Sequence, residues 1–436
     1  MPRTSKLLTL LAAAISLATP TAAFATNVMG QLPGNTTWDP AGNPWTITGD
    51  LTVPAGVTLT IQPGTQVVFA SGDAMGSGAN SSRTELIVEG TLLSQGSAGS
   101  RVTLNASAGY GVRVLSGGTA TLDYTDVSGH SSYYGVYSSG TFTANNSTIT
   151  GGNTCLYVAA GNATFNSGTL KSCSYGVYTS GGNTSLAYTI IRGTSSYGVY
   201  ATAPISLVHD TIANNIGTGV YIDGFTGSVT VRDNAIVSNG AYGLRFYSPS
   251  TPSRTVDHND VWSNSSTNYS NVSAGTGSIS ENPIFVGGNN FAPTTNSPLR
   301  MAASDGTDIG AVAYAGAPTP DLRGVLYTNT TLTGANTVTG DLTVPAGVTL
   351  TLAPGATLTF ASTDAQAGGT NSSRVELIVQ GTLLSQGSAG SRVTLNASAG
   401  YGVRVLSGGT ATLDYTDVSG HSSYYGVYSS GTFTAN

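Results

Sequence analysis

The chain repeats a short phrase centred on glycine at intervals of a little over twenty residues. The phrase SSYYGVYSSG at 131–140 is one example. The central glycine recurs at Gly111, Gly135, Gly176, Gly198, Gly219 and Gly243, and Cys155 takes the same slot between the second and the third. A column of aliphatic residues alternates with these glycines, at Val127, Ile149, Leu170, Ile191, Ile212, Ile236 and Val261. A period of this length is typical of a solenoid in which each repeat forms one coil.

The composition favours strands over helices. Only 8% of the residues are charged, so the long charged side chains that usually cover helices are scarce. Valine, isoleucine, threonine and tyrosine stand between glycine, asparagine and serine, which is typical of short strands joined by turns. The period and consensus do not fit leucine-rich repeats, hexapeptide repeats or propeller blades.

We therefore predict an all-β parallel β-helix with roughly 20–25 residues and two or three short strands per coil. Roughly ten coils are expected in the first unit, stacked about 4.8 Å apart. In the phrase GVY we expect the valine to point into the coil, and the glycine and the tyrosine to point outward, because side chains alternate along a strand.

A larger repeat divides the chain in two. Residues 90–145 are identical to residues 381–436, and GDLTVPAGVTLTIQPG at Gly49 returns at Gly340 as GDLTVPAGVTLTLAPG. We predict a first β-helix unit at 26–315, a linker at 316–325 and a second unit at 326–436, which duplicates 49–145 and stops partway. Proline and glycine in the linker segment AGAPTPDLRG support a boundary there.

The N-terminus has the features of a secretory signal peptide. Arg3 and Lys6 precede an apolar stretch at 7–17, and Ala23-Phe24-Ala25 fits a cleavage site. The apolar stretch is too short to span a membrane. We predict a signal peptide at 1–25 and a mature protein that is secreted or lies at the cell surface.

The period, the asparagines at predicted bends and the phrase VPAGVTLTIQPG resemble secreted bacterial right-handed parallel β-helix repeat proteins of the pectin-lyase-like fold. The phrase at 282–314 is similar to a closing segment that such proteins often carry, with Pro283, Phe285, Ser297-Pro298 and Asp308-Ile309-Gly310 as the recognisable positions. The resemblance implies a right-handed helix whose first unit is capped near Tyr314. It is specific for the fold and not for an activity.

Three titratable residues form the only candidate catalytic cluster. His209, Asp233 and His258 share one column when their repeats are aligned on the aliphatic residue. A carboxylate between two imidazoles raises their pKa values and suits acid–base chemistry. The same column holds Tyr124, Asn146, Ser167 and Tyr188, which favours a solvated turn instead. The acidic-plus-arginine pattern of the polysaccharide lyases, the best-known enzymes of this fold, does not transfer to the chain.

Five tyrosines form one outward column and are the candidate ligand-binding residues: Tyr137, Tyr157, Tyr178, Tyr200 and Tyr221. Arg113 and Arg245 lie near its ends. Such an aromatic strip suits the apolar faces of sugar rings. Alternatively, it is a cross-strand ladder that only stabilises the sheet. A second row of tyrosines is expected at the corner of each coil.

Two further features leave their roles open. The polar insertion at 71–83, repeated at 362–374, either covers the end of the solenoid or forms a ligand loop with Asp73, Asn80 and Arg83. Cys155 and Cys173 fall in neighbouring repeats, and an exported protein permits a disulfide between them. No zinc-type spacing of cysteine and histidine occurs, so no metal or cofactor is predicted.

Two functions follow from these observations. The first is an exported, non-catalytic protein with a structural or adhesive role, in contact with polysaccharide or cell-surface glycans along the tyrosine column. The second is a carbohydrate-active enzyme, a polysaccharide lyase or glycoside hydrolase acting on an acidic polysaccharide. The first is preferred because titratable groups are few. A net charge of −6 argues against nucleic acid as a partner.

Overall fold

Each coil of the first unit contains three short strands, and equivalent strands of successive coils pair in parallel. The computed structural model that shows this describes residues 25–130, 132–225, 227–247 and 253–436. Apart from Ala25, the predicted signal peptide lies outside the described residues. The predicted all-β parallel β-helix is confirmed, and the described ranges contain a single 3-10 turn, Pro40–Gly42, as their helical content.

The three strand columns form three faces, which we name after a residue type that recurs on each. Two long strands, Thr26–Gln31 and Trp45–Val53, begin both the isoleucine face and the tyrosine face. The isoleucine face continues with Gln66–Phe69, Val102–Asn105, Thr125–Gly129, Thr148–Gly151, Thr169–Lys171, Ile190–Arg192, Thr211–Ala213, Ala235–Val237 and Asp260–Trp262. The tyrosine face continues with Glu85–Val88, Gly111–Val114, Tyr134–Ser138, Thr154–Val158, Tyr175–Thr179, Tyr197–Ala201, Thr218–Ile222, Tyr242–Phe246 and Thr267–Ser270.

The threonine face is a separate ten-stranded sheet. It consists of Thr36–Trp38, Thr58–Ile61, Thr91–Gln95, Thr119–Asp123, Thr141–Asn145, Asn162–Asn166, Asn183–Ala187, Ile205–Val208, Ser228–Arg232 and Ser253–Asp257. A short antiparallel hairpin, Phe285–Gly287 with Asn290–Pro293, follows in the closing segment. That segment packs Leu299, Ala303 and Ile309 against Ala235 on the outer side of the isoleucine face.

The second unit has its own core and repeats the same three faces. Its first strand, Leu322–Val325, lies within the segment predicted as a linker and pairs with Ala335–Val344. The isoleucine face continues with Thr357–Phe360, Val393–Ala397 and Thr416–Gly420, and the tyrosine face with Glu376–Val379, Gly402–Val405 and Val427–Ser429. The threonine face consists of Thr330–Leu332, Thr349–Leu352, Thr382–Gln386, Thr410–Asp414 and Thr432–Ala435.

The glycine of the repeated phrase points into the coil, so the prediction that it points outward is wrong. Gly176 and Val177 are both buried, because the chain turns onto the tyrosine face just before them. A methyl group placed on Gly176 would lie 2.5 Å from Ile191 Cγ2 and 2.5 Å from the Gly198 carbonyl oxygen. The glycine column thus packs directly under the aliphatic column of the next coil, and no larger side chain fits where that coil carries a β-branched residue.

Cys155 fills a glycine slot because its neighbour in the aliphatic column differs. The residue on the next coil is Leu170, which has no branch at Cβ, whereas the other coils place isoleucine or valine above their glycines. The space that a Cγ2 methyl would fill is therefore available to the cysteine. Cys155 forms a disulfide with Cys173, and their Cα atoms are 5.7 Å apart.

No helix within the described ranges is both long enough and apolar enough to cross a membrane.

Candidate functional sites

The tyrosine face carries an unbroken column of contacting rings, of which Tyr200 and Tyr221 are stacked and the other neighbouring pairs are tilted or edge-on. Tyr137, Tyr157, Tyr178, Tyr200 and Tyr221 are direct register partners on successive coils. Their neighbouring ring centroids lie between 4.9 and 5.3 Å apart. Arg113 precedes Tyr137 and Arg245 follows Tyr221 in the same column. The column therefore offers half-exposed aromatic rings with a guanidinium group at each end.

A second row of tyrosines lies beside the first rather than apart from it. Tyr134 stacks on Tyr157 at 5.1 Å, and Tyr197 meets Tyr221 at 5.3 Å. Within the second row, Tyr175 stacks on Tyr197 at 5.5 Å. The first row extends over five coils, or roughly 20 Å along the axis, and the second row widens it on three of them, since Thr154 and Thr218 take the second-row position on the other two.

Four phenols of this surface have a raised pKa and keep their protons at neutral pH. Burial, and next the nearby Asp223 carboxylate, raise the pKa of Tyr200 to about 12. Burial likewise raises the pKa of Tyr134, Tyr178 and Tyr221. The surface therefore presents neutral rings whose hydroxyl groups both donate and accept hydrogen bonds.

The candidate catalytic residues occupy a turn that requires left-handed backbone. His209, Asp233 and His258 have φ angles of 55°, 61° and 50°. The other members of the column are left-handed as well: Tyr124, Asn146, Ser167 and Tyr188. Asparagine, aspartate and histidine are enriched in this backbone region, so the turn alone explains the residue types at these positions.

The structure brings two of the three candidate catalytic residues together. His209 Nε2 lies 3.7 Å from Asp233 Oδ2. His258 faces away from this pair, and its Nδ1 lies 3.3 Å from Asp257 Oδ1. The expected stack of two imidazoles around one carboxylate is therefore absent from the described residues.

The closing segment covers the His209–Asp233 pair. Asp233 accepts hydrogen bonds from the backbone N–H of Ser304 at 2.6 Å and from its hydroxyl at 2.8 Å. His209 Nε2 lies 3.3 Å from Asp305 Oδ2. His209 is 3% exposed and Asp233 is 2% exposed, so the pair anchors the closing segment and leaves no space for a substrate.

Two asparagine ladders run through the turns of the last coils, and sequence analysis did not identify their bonding. In the first, Asn234 Oδ1 accepts from the backbone N–H of Asp210 at 2.8 Å, and Asn234 Nδ2 donates to the Leu207 carbonyl at 2.9 Å. Asn259 makes the same two bonds one coil further on. Its Oδ1 accepts from the backbone N–H of Asn234, and its Nδ2 donates to the Val231 carbonyl. The second ladder consists of Asn215, Asn239 and Asn264.

Asp210 occupies the first ladder where an asparagine would fit better. Its Oδ1 accepts from the backbone N–H of Thr189 at 2.8 Å, whereas its buried Oδ2 has no hydrogen-bond partner among the described residues. Leu186 pairs with Leu207 in the parallel register. The Leu186 carbonyl therefore lies beside Asp210 in the position that the Leu207 carbonyl has beside Asn234. Complete burial raises the pKa of Asp210 well above its ordinary value.

We expect Asp210→Asn to stabilise the first unit at neutral pH by about 1–2 kcal/mol, because the amide supplies the missing donor. Native Asp210 holds a proton that the unfolded chain releases above about pH 4, since its folded-state pKa exceeds the unfolded value. The stability of the native protein therefore falls as the pH rises from about 4 towards the folded-state pKa. Urea unfolding of the native protein and of Asp210→Asn at several pH values measures both effects. If the difference in their free energies of unfolding did not become smaller towards pH 4, the prediction would be contradicted.

The residues proposed for a ligand loop in the first insertion bond within the protein instead. Asp73 Oδ1 accepts from the backbone N–H groups of Asp50 and Met75, at 3.0 and 2.9 Å. Asn80 Oδ1 accepts from Ser82, and Arg83 donates to a carbonyl at position 108. The insertion therefore folds over the adjacent coils through its own polar side chains.

A small acidic cluster lies beneath each insertion. In the first unit, Glu85 Oε2 accepts from Arg113 Nη1 at 2.7 Å, and Glu85 Oε1 from backbone N–H groups of the insertion. In the second unit, Glu376 and Arg404 form the same pair at 2.7 Å. Burial, and next the charge of Asp364, raise the pKa of Asp341 in this second cluster to about 8. Within the described residues, no three His, Cys, Asp or Glu side chains are arranged to hold a metal ion.

Comparison with known proteins bears on the fold. Residues 135–291 match a family model described as a right-handed beta helix region. This range includes most of the tyrosine surface and both asparagine ladders. None of the curated proteins is detectably similar to the chain.

Proposed function

This chain is a right-handed parallel β-helix repeat protein, and from that premise we propose that it is an exported, non-catalytic protein that binds polysaccharide along its tyrosine face. The N-terminal sequence supports export to the cell surface or beyond it. The observation that carries the binding proposal is the column of five half-buried tyrosines on successive coils, widened by second-row tyrosines on three of them.

The rings suit a polysaccharide for two reasons. Their flat faces match the apolar faces of sugar rings, and their neutral hydroxyls bond to sugar hydroxyls. Ring contacts at about 5 Å per coil make an extended, open site, which fits a chain better than a small molecule. A non-catalytic role is supported by the burial of His209 and Asp233 under the closing segment.

We expect the double variant Tyr178→Ala/Tyr200→Ala to weaken polysaccharide binding on the order of tenfold, equivalent to about 1.4 kcal/mol. Affinity electrophoresis of the full chain in gels that contain neutral or acidic polysaccharides measures this. Tyr188→Ala is the matched control, because Tyr188 is 46% exposed but stacks on His209, away from the tyrosine face.

The same samples are assayed for unsaturated products and for reducing ends. Binding by native protein and control, lost in the double variant and without turnover, supports the proposal. Equal binding by all three proteins contradicts a role for the tyrosine face. Turnover that disappears in Asp233→Asn contradicts the non-catalytic role.

A further inference from the structure

The insertions of the two units differ at one buried carboxylate. In the first unit, the hydroxyl of Ser77 donates to Asp50 Oδ2 at 2.8 Å. In the second unit, Gly368 stands in the place of Ser77, and Asp341 in the place of Asp50. Asp341 is only 3% exposed, yet its Oδ2 has no hydrogen-bond partner among the described residues. The second unit thus lacks the donor that completes the first.

The space left by the missing hydroxyl is bounded by a second carboxylate. A methyl group placed on Gly368 would lie 3.4 Å from Asp341 Oδ2 and 3.4 Å from Glu281 Cδ. Glu281 immediately precedes the closing segment of the first unit, whereas the charged groups that act on Asp50 in the first insertion are Asp73 and Arg113. Two acidic side chains from different units therefore face one small gap.

Glu281 is held at this gap by bonds between the two units. The backbone N–H of Asn282 donates to the Gln366 carbonyl at 3.1 Å, and its side chain donates to the Ala365 carbonyl at 2.9 Å. In return, Gln366 Nε2 donates to the Asn282 carbonyl at 2.7 Å. The position of the Glu281 carboxylate relative to Asp341 is thus fixed by the docking of the closing segment.

The charges around the gap are strongly unbalanced. Four acidic side chains lie close together here: Asp341, Glu281, Asp364 and Glu376. The guanidinium group of Arg404 forms an ion pair with one of them, Glu376. The oxygens of Asp364 accept from backbone N–H groups, at 2.9 Å from Asp341 and 2.8 Å from Gln366. Because the pKa of Asp341 is about 8, this side chain holds a proton at neutral pH, and a cation in the gap would take the place of that proton.

We propose that a divalent cation of the calcium class binds in the gap beside Gly368, with Asp341 and Glu281 as its carboxylate ligands. Calcium prefers oxygen ligands, tolerates irregular geometry and accepts water in its remaining positions. A groove of about 420 Å³ at the junction is lined in part by Glu281 and by Gly369, the neighbour of Gly368. With only two acidic ligands, the expected Kd is about 10⁻⁴–10⁻³ M, as in extracellular calcium modules.

Calorimetric titration of the full chain with calcium chloride tests the site, and sodium chloride at equal ionic strength is the blank. One calcium ion per chain is expected. Gly368→Ser fills the gap and supplies the hydroxyl donor of the first unit, so we expect binding to weaken at least tenfold. Glu281→Gln removes one ligand charge, and we expect it also to weaken calcium binding at least tenfold. Ser77→Gly is the control, and it should still bind one ion because the first unit lacks a counterpart of Glu281.

Several outcomes overturn the proposal. The first is that the native chain gives the same heat with calcium chloride as with sodium chloride. The second is that Gly368→Ser and Glu281→Gln both bind calcium as tightly as the native chain. The third is that Ser77→Gly binds a second ion. Far-UV circular dichroism establishes that each variant is folded. If Gly368→Ser does not fold, the Glu281→Gln result decides, because that substitution keeps the shape of the side chain.

Discussion

Replacing Asn234 by alanine is expected to lower the free energy of unfolding of the first unit by about 3 kcal/mol. The change removes the acceptor for the buried N–H of Asp210 and the donor to the Leu207 carbonyl. Each buried polar group left without a partner costs about 1–3 kcal/mol. Water does not compensate, because Asn234 is fully buried. Urea unfolding followed by far-UV circular dichroism measures the difference.

Asn183→Ala is the matched control for this ladder. Asn183 is exposed on the threonine face and makes a single side-chain bond, to Asn162 Oδ1 at 3.2 Å. Its removal is expected to change stability by less than about 0.5 kcal/mol, as is usual for surface positions. Similar effects of the two substitutions would show that the ladder does not stabilise the turns.

Gly176→Ala is expected to destabilise the first unit by about 3 kcal/mol, at the upper end of the range for overpacked cores. The added methyl group meets Ile191 Cγ2 and the Gly198 carbonyl oxygen, both at 2.5 Å. The carbonyl belongs to a strand paired on both sides, so it cannot move without breaking the ladder. Thermal and urea unfolding measure the loss.

Gly99→Ala provides the comparison. A methyl group placed on Gly99 meets no atom within 4 Å, and its backbone is not left-handed. We expect its stability to equal that of the native chain or to exceed it slightly, since alanine restricts the unfolded chain. If Gly176→Ala were as stable as Gly99→Ala, the coils would be more compressible than the contacts indicate.

The coil architecture was predictable because its signals are local and periodic. The aliphatic column and the tyrosine column each recur once per coil, so their alignment in sequence gives their register in space. The direction of the glycine was not predictable from alternation, because the turn before Gly176 places two consecutive residues on the core side. The tyrosine column followed from the pattern, but the stacking of the second row on the first depends on ring orientation.

The candidate catalytic cluster shows where periodicity is insufficient. Alignment correctly places His209 and Asp233 on adjacent coils. It carries no information about Ser304, which is 71 residues away from Asp233 in sequence and bonds to its carboxylate. Likewise, the gap at Gly368 depends on Glu281 from the other unit, and no repeat links those two positions. Contacts between a solenoid and a non-repeating segment need the three-dimensional structure.

The disulfide has a consequence for how such a rod comes apart. In a solenoid each coil contacts only its neighbours, so folding can begin at any coil and propagate from it. Cys155 and Cys173 are separated by 18 residues, slightly less than one turn of the helix. The bond closes that turn into a covalent ring, which keeps its curvature when the coils on either side have unfolded. Rewinding then starts from a preformed template in the middle of the rod instead of from an unconstrained chain.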